Sequence, residues 1–454
     1  MGVKVAKFGG TSLAGVEPIR RAVAIIGADA ERRYVVASAP GKRDSADEKI
    51  TDLLYRLYDL RGGDYAGTLG VIRSRFAEIA DGLGVEVDLG AEFAAIEGGL
   101  VGGEGAAFFA SRGEYLNSLI ISRLLGWPFV DAADVVRFSE TGEFLADATD
   151  EALSRVLAGL DHAVVPGFYG ATPSGRVVTF SRGGSDVTGA LVARAVGAAV
   201  YENWTDVSGI LAADPRIVTD PRSIGRISYA NLRALAYLGA SVLHEDAVNP
   251  VRDKGIPINI RNSARPEDEG TWITDGPDDW DKSDAAVCPT TVRGVGQTAA
   301  SDGGSHPPII GIAGKTGFTA LTIAKAQLSG STGTAALLAP FDEAGIPVEL
   351  AVSGVDAWVV VVRTPPSGLD YLVDRIRETI KPDSLSELHP LALVGVVEST
   401  AASRASIAGA IAAALADAGI HADLLTAGVG GVHIAAVPEG AYRPAVAAIY
   451  DALG

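Results

Sequence analysis

A mainly parallel α/β sheet with helices on both faces, followed by a smaller repeated β-α-β unit, is the fold this sequence predicts. Three observations carry it. Residues 1 to about 262 alternate short β-rich runs with longer segments of helical spacing, the pattern that β-α-β connections produce. Two of the strand-like runs end in a Gly-Gly pair followed at once by a helix-like segment. In open parallel sheets, ligands bind beyond the carboxyl ends of the strands, where such turns lie. Further on, FDEAGIPVEL (341–350) and LADAGIHADL (415–424) repeat one helix-end pattern at an offset of 74 residues, which reads as two copies of a small unit.

The strands of the first region are VKVAKF, RYVVAS, AVVPGF, RVVTF, AAVYENW and IPINI, each bounded by Gly, Pro or polar residues. Their β-branched and aromatic content suits a pleated, buried sheet. EKITDLLYRLYDL (48–60) and GSDVTGALVARAVGA (184–198) place apolar residues at helical spacing. From about 263 to 307 the text turns to ARPEDEG, TDGPDDWDKSD and SDGGSHPP, a boundary with irregular connections. In the repeat, an Ala-rich helical segment precedes each copy, and the strands AWVVVVR (357–363) and GVHIAAV (431–437) follow. At 454 residues, two or three domains are expected.

Composition removes several function classes. The chain is 48% hydrophobic and 21% charged with a formal net charge of -18. That acidity argues against a nucleic-acid or anionic-membrane surface, so any phosphorylated ligand must sit in a local pocket of N–H groups and one or two cations. The single cysteine, Cys288, excludes a disulfide framework and a multi-cysteine zinc site, and suits a reducing compartment. Six histidines show no metal-ligand spacing. MGVKVAKFGG lacks the apolar core of a signal peptide, and IAGAIAAALADAGI (407–420) is too short to span a membrane. A soluble, cytoplasmic protein is the expectation.

Four segments have the residues for chemistry. KFGGTS (Lys7 to Ser12) offers Gly9 and Gly10 for close backbone approach and Lys7 as a compact cation. It reads equally as a tight structural turn. TFSRGGSD (Thr179 to Asp186) adds the planar fork of Arg182. Alone, its Asp186 reads as a helix N-cap; beside a second Gly-Gly turn, the ligand reading gains. In ENWTDVSGILAADPR (202–216), Thr205 and Asp206 end a strand, and Gly209 and Asp214-Pro215-Arg216 suggest a loop folded over something. Glu114 in SRGEYLNS lies in a small, apolar stretch, although a helical Glu is ordinarily solvated. GIAGKTG (311–317) is not a P-loop, because Ile309 stands where that pattern needs its first Gly.

Together KFGGTS, SAPGKR…KITDLL (38–54), SRGEYLNS, GFYG…TFSRGGSD (167–186), WTDVSGILAADPR and GASVLHEDA (239–247) occur in the order seen in aspartate kinases. The chain resembles that family over nearly its whole length. The resemblance implies a three-layer α/β/α amino-acid kinase domain over 1–295 and two ferredoxin-like ACT units at 308–385 and 388–454. It implies transfer of the γ-phosphate of ATP, with Mg²⁺, to the β-carboxylate of aspartate, in lysine and threonine biosynthesis. A homodimer or higher oligomer is implied, with an amino-acid effector at the ACT units around Leu328–Gly330 and Val348–Ser353.

By position, the resemblance assigns Lys7, Gly9, Gly10 and Ser12 to the ATP phosphates, and Thr205, Asp206 and Arg216 to the nucleotide site. It assigns Ser38, Thr51, Glu114, Arg182, Gly183 and Ser185 to the amino-acid substrate, and puts Asp186 with Lys7 at the transfer site. No resident protein-bound metal is implied. Two positions depart from the pattern: Leu211 stands where many members have Tyr, and Ser241 where many have Lys, and both usually touch the nucleotide. The rival expectations are another amino-acid kinase of the same fold and a catalytically impaired amino-acid sensor. A carboxylate nucleophile with a pKa near 4 is ionised at neutral pH, so the chemistry needs charge neutralisation and positioning, not a general base.

Overall fold

A computed structural model describes residues 2–181, 183–240, 243, 245–275, 308–325, 331–365, 367–399, 404–422 and 424–454. Cys288, Arg182, Ser241 and Leu328–Gly330 lie outside the described residues. The chain divides into two compact units. The first comprises Met1–Ile210, Ser223–Arg233 and Val242–Asp302; the second comprises Leu211–Arg222, Ala234–Ser241 and Gly303–Gly454.

Through residue 275 the strands are β1 (Lys4–Phe8), β2 (Arg32–Ala37), β3 (Ala163–Pro166), β4 (Tyr169–Ala171), β5 (Val177–Thr179), β6 (Val200–Thr205), β7 (Ile210–Leu211), β8 (Ser223–Ile224), β9 (Arg226–Ser228), β10 (Ile258–Asn262) and β11 (Thr271–Thr274). Seven form one sheet in the order β3-β2-β1-β6-β10-β11-β9. All neighbours are parallel except β10 and β11. The interior strand β1 is buried at every residue, as a strand covered on both faces must be.

Alternate positions of the sheet meet different helix layers. Ala6, Phe8, Val35 and Trp204 join a core with α1 (Val16–Gly27), α2 (Ile50–Asp59), α3 (Ala66–Leu83), α4 (Leu89–Gly102) and α5 (Ala106–Leu125). The other face receives α8 (Gly184–Ala195), which packs on β1, β2 and β6. The remaining helices are α6 (Ala132–Val135), α7 (Ala146–Leu157), α9 (Tyr229–Tyr237) and α10 (Glu245–Arg252). Three layers, α/β/α, result. One expectation is corrected. RVVTF becomes β5, which pairs only with β4 in a two-stranded sheet. A turn with Gly175 at φ 85 folds it back, and the Thr172 N–H donates to Arg176 O.

The second unit holds β12 (Ile309–Ala324), α11 (Ser331–Glu343), β13 (Val348–Ser353), β14 (Ala357–Arg363), α12 (Asp370–Thr379), β15 (Ser384–Glu398), α13 (Arg404–Asp417), β16 (Leu424–Val429), β17 (Val432–Pro438) and α14 (Tyr442–Leu453). Its antiparallel sheet runs β13-β14-β12-β15-β17-β16. The repeated DEAGI and DAGI texts are two copies of one helix cap. Gly345 (φ 64) and Gly419 (φ 68) are left-handed. The Ile346 N–H donates to Phe341 O and the Ile420 N–H to Leu415 O, the Schellman pattern.

Two helix-covered apolar cores line this sheet, and Phe318, Ala320, Val361, Leu391, Leu393 and Ala436 form a third cluster from strand residues alone. Leu321, Ile323, Val360, Val362 and Leu372 build one, while Ile309, Ile312, Val394, Val396, Ile411 and Ile449 build the other. The long strand β12 contributes to both, β15 builds the second and packs Leu385 against the first, and the expected boundary at 385–388 falls inside β15. GIAGKTG lies within β12. Ala213 and Val218 join the second core, and Arg222 donates to the carbonyls of Ile309 and Ile310. No helix among the described residues is long and apolar enough to cross a membrane.

Candidate active site

The carboxyl end of β1 opens into the first Gly-Gly turn, and the amino end of α8 carries the second. Both belong to the first unit. Lys7, 6% exposed, lies in register with Asn203 of β6. Its Nζ is 2.5 Å from Asp186 Oδ1 and 3.3 Å from Asn203 Oδ1, to which it donates. Asn203 Nδ2 in turn donates to Asp186 Oδ1 at 2.9 Å. The helix N-cap is Gly183, without a side-chain cap bond, so Asp186 is not the cap that its isolated sequence suggests. Its carboxylate faces Lys7 instead.

The glycines are set by close approach. A Cβ on Gly10 would lie 3.0 Å from Ala39 O, and one on Gly41 would lie 2.7 Å from the Gly10 carbonyl carbon. The Gly41 N–H donates to Gly10 O at 2.9 Å, so the SAPG segment braces the KFGG turn. Gly9 donates its N–H to Trp204 O, which removes that group from the anion nest expected of the Gly-Gly pair. Gly183 is left-handed at φ 59, a conformation glycine adopts without strain. A Cβ on Gly184 would lie 2.6 Å from the Phe168 ring. Phe168 itself holds φ 82, an uncommon conformation for a bulky residue. Ser185 is buried against Gly167, whose added Cβ would lie 2.6 Å from Ser185 Oγ.

Glu114 lies on α5, 5% exposed. Burial pushes its carboxyl up to about 8, against a smaller lowering by the Ala39 N–H. Its Oε2 has no hydrogen-bond partner, nor do Asn117 Oδ1 and Ser118 Oγ. These three residues share one helix face at i, i+3 and i+4. Asn117 Nδ2 donates to Ser38 O at 2.8 Å, and the Ser38 N–H donates to Phe8 O. The end of β2 is thereby held between β1 and α5. Gly113 permits this: an added Cβ would lie 2.7 Å from Ala39 Cβ and 3.4 Å from Ile50 Cγ2. Thr51 is half-buried in the first turn of α2, beside Ile50.

Of the remaining assignments, Ser12 and Thr205 stay at the carboxyl ends of β1 and β6, linked through Ser263. Ser12 Oγ is 2.7 Å from Ser263 Oγ and 3.4 Å from Trp204 O. Thr205 Oγ1 donates to Asp206 Oδ1 at 3.2 Å, and Asp206 is exposed. Gly209, at φ 100, returns this loop to β11, where Thr271 Oγ1 accepts from the Ile210 N–H. Leu211 and Arg216 group with the second unit, and the Arg216 guanidinium is spent on Asp214. Sequence reading did not select Asn203, Phe168, Asn117 or Gly41. All four stand inside motifs named above, Asn203 in ENWTD and Asn117 in SRGEYLNS, but nothing in those texts singles out either amide. Among the described residues no group of three or more His, Cys, Asp or Glu is placed to hold a metal ion.

Comparison with known proteins follows this geometry. The model of the amino acid kinase family matches residues 2–262. Aspartokinase 3 of Bacillus subtilis is 30% identical over 475 residues, spanning 99% of this chain and 98% of the relative. Lysine-sensitive aspartokinase 3 of Escherichia coli is 32% identical over 60% of this chain and 64% of its own. Among solved structures, aspartate kinase from Clostridium acetobutylicum superposes with a TM-score of 0.83 at 36% identity, over all of both chains. Aspartokinase III of E. coli, in complex with aspartate and ADP, gives 0.71 at 23% identity over 99% of each, a likeness of fold.

Proposed function

We infer the chemistry of this site from one premise: the chain belongs to the amino acid kinase family, and within it to the aspartokinases. It is a kinase that phosphorylates the β-carboxylate of L-aspartate from ATP, giving 4-phospho-L-aspartate. The observation that carries the division of labour is the Lys7–Asp186 pair at 2.5 Å, which joins the two glycine-paired turns. Lys7 neutralises the phosphates as the aspartate carboxylate approaches, and Asp186 holds Lys7 in place until they arrive. Gly10 and Ser12 shape the phosphate side, with Thr205 and Asp206 at the nucleotide end. Mg²⁺ suits the site as a companion of the nucleotide, because it needs only one or two protein carboxylates when phosphates and water supply the rest. Asp206 offers one. Bound there, the ion would screen charge on the transferring phosphoryl group.

Glu114 receives the substrate ammonium. Its orphan Oε2 and the unpartnered Asn117 and Ser118 oxygens form a buried acceptor face that a three-donor ammonium satisfies. Arg182, which the resemblance assigns to the amino-acid substrate, takes the α-carboxylate on our reading, because its planar fork matches a carboxylate. Since Glu114 is raised to about 8, an arriving ammonium drives its proton off. Aspartate therefore binds more tightly as pH climbs from 7 toward 8.5. ADP release measured with a hydroxylamine trap for the acyl phosphate tests the reading. Aspartate should give hydroxamate with one ADP each, and glutamate should give none. ADP without hydroxamate, or equal product from glutamate, would overturn it, and silence with both would favour the impaired sensor.

The catalytic region corresponds to residues 1–295 and the second unit to two interleaved ACT repeats, on our reading of its two cores. An amino-acid effector, lysine first because one relative is named lysine-sensitive, binds this unit. β13, an outer strand of its sheet, includes the expected Val348–Ser353. Titration with lysine, threonine and methionine should depress activity and raise Tm for one of them; no response to any would reduce the unit to a structural role.

A further inference from the structure

We propose that Asn203 is a positioning residue for phosphoryl transfer: its amide keeps Asp186 satisfied while Lys7 gives its charge to the phosphates. This rests on the reading of Lys7 and Asp186 above. Asn203 is 5% exposed, and both ends of its side chain are committed. Oδ1 accepts from Lys7 Nζ and Nδ2 donates to Asp186 Oδ1. With oxygen toward the ammonium and NH₂ toward the carboxylate, the amide has only one orientation that satisfies both.

Strand β6 grips the start of α8 at two points. Two residues before Asn203, on the same face, Tyr201 Oη donates to Asp186 O at 3.0 Å. Gly189, one turn further along α8, leaves the space for that ring, since its added Cβ would lie 2.5 Å from Tyr201 Oη. Main chain and side chain of Asp186 are therefore both fixed from β6, at a height set by the register of Lys7 with Asn203.

The chemical need follows from charge. In the free enzyme Lys7 neutralises Asp186. When a polyanion enters, Lys7 must turn toward it, and a partly buried carboxylate left without donors is costly. Asn203 Nδ2 stays with Asp186 through that exchange, while Oδ1 limits how far the ammonium travels. Asn fits this place better than an apolar residue, which supplies no donor, or Asp, which adds a second negative charge beside the phosphates.

Three variants test it in the full-length chain: Asn203→Leu, Asn203→Asp and Lys7→Met. Asn203→Leu should lower kcat at least about tenfold with aspartate KM within about twofold. Asn203→Asp should be slow at pH 8.5, and its kcat relative to wild type should climb as pH falls to 6 and one carboxyl of the pair takes a proton. Simple structural damage would not produce that pH-dependent ratio. If both Asn203 variants keep wild-type kcat, or the Asp variant shows a flat ratio, the proposal is overturned. If Lys7→Met also keeps wild-type kcat, the reading of the site fails first, and the two failures are told apart. Should Asn203→Leu not fold, the pH ratio of Asn203→Asp decides alone.

Discussion

Replacing Lys7 by Met should lower kcat by about 10²–10³-fold, the usual consequence of removing one preorganised charge from a developing anion, with aspartate KM changed less than about threefold. The reason is electrostatic. Two unit charges 4 Å apart interact by about 4 kcal/mol at the effective dielectric of a protein surface. Lys7 is buried to 6% exposure at the end of an interior strand, where solvent screens it poorly. The substitution also leaves Asp186 without its cation, although Asn203 still donates to it. A fall in Tm of a few degrees is expected on that account. The double variant Lys7→Met/Asp186→Asn separates the effects: Tm should recover and kcat should not. Steady-state kinetics with thermal melts on both variants checks this, and a single variant within threefold of wild type in kcat would remove Lys7 from the transfer site.

Glu114→Gln should raise aspartate KM by about 10- to 150-fold, the effect of losing a charged hydrogen-bond partner worth about 1.5–3 kcal/mol, with the ATP KM nearly unchanged. The same variant should alter stability in the opposite sense. Burial raises the folded-state carboxyl from 4.5 to about 8. Between those values the folded chain keeps a proton that the unfolded chain has lost. Stability therefore falls as pH climbs through that window, by up to about 1.4 kcal/mol per pH unit. The amide carries no such slope. Glu114→Gln should melt above wild type at pH 8 and with it near pH 4.5. Parallel melting curves across pH would contradict the buried neutral carboxyl, and an unchanged KM would take Glu114 out of the substrate site.

What the sequence made legible was local. The β1 text, the two Gly-Gly turns and the glycine caps of α11 and α13 are each decided within a few residues, by propensity, left-handed φ or close approach. Asn203 was not legible, because it matters only through the parallel register of β1 with β6. That pairing spans 196 residues and nothing in ENWTD announces it. Asp186 misled for a related reason. Its sequence position satisfies a capping rule, and the ion pair that decides its role comes from another strand. Helices α3 and α4 went unread because α4, LGAEFAAIEGGLVG, has apolar and glycine residues on every side and no clear stripe. Gly41 stood in a quoted motif, but the turn it braces lies 31 residues earlier in the chain.

The pairing of β12 and β15 limits where the chain can be divided. β12, of 16 residues, is shared by two cores, while β15, of 15 residues, builds one and borders the other through Leu385. No cut in the chain between them yields two self-sufficient modules, since any such cut strips a strand from one. The fragment after such a cut loses Ile309 and Ile312 from the core that β15 builds and leaves an apolar sheet face open to solvent.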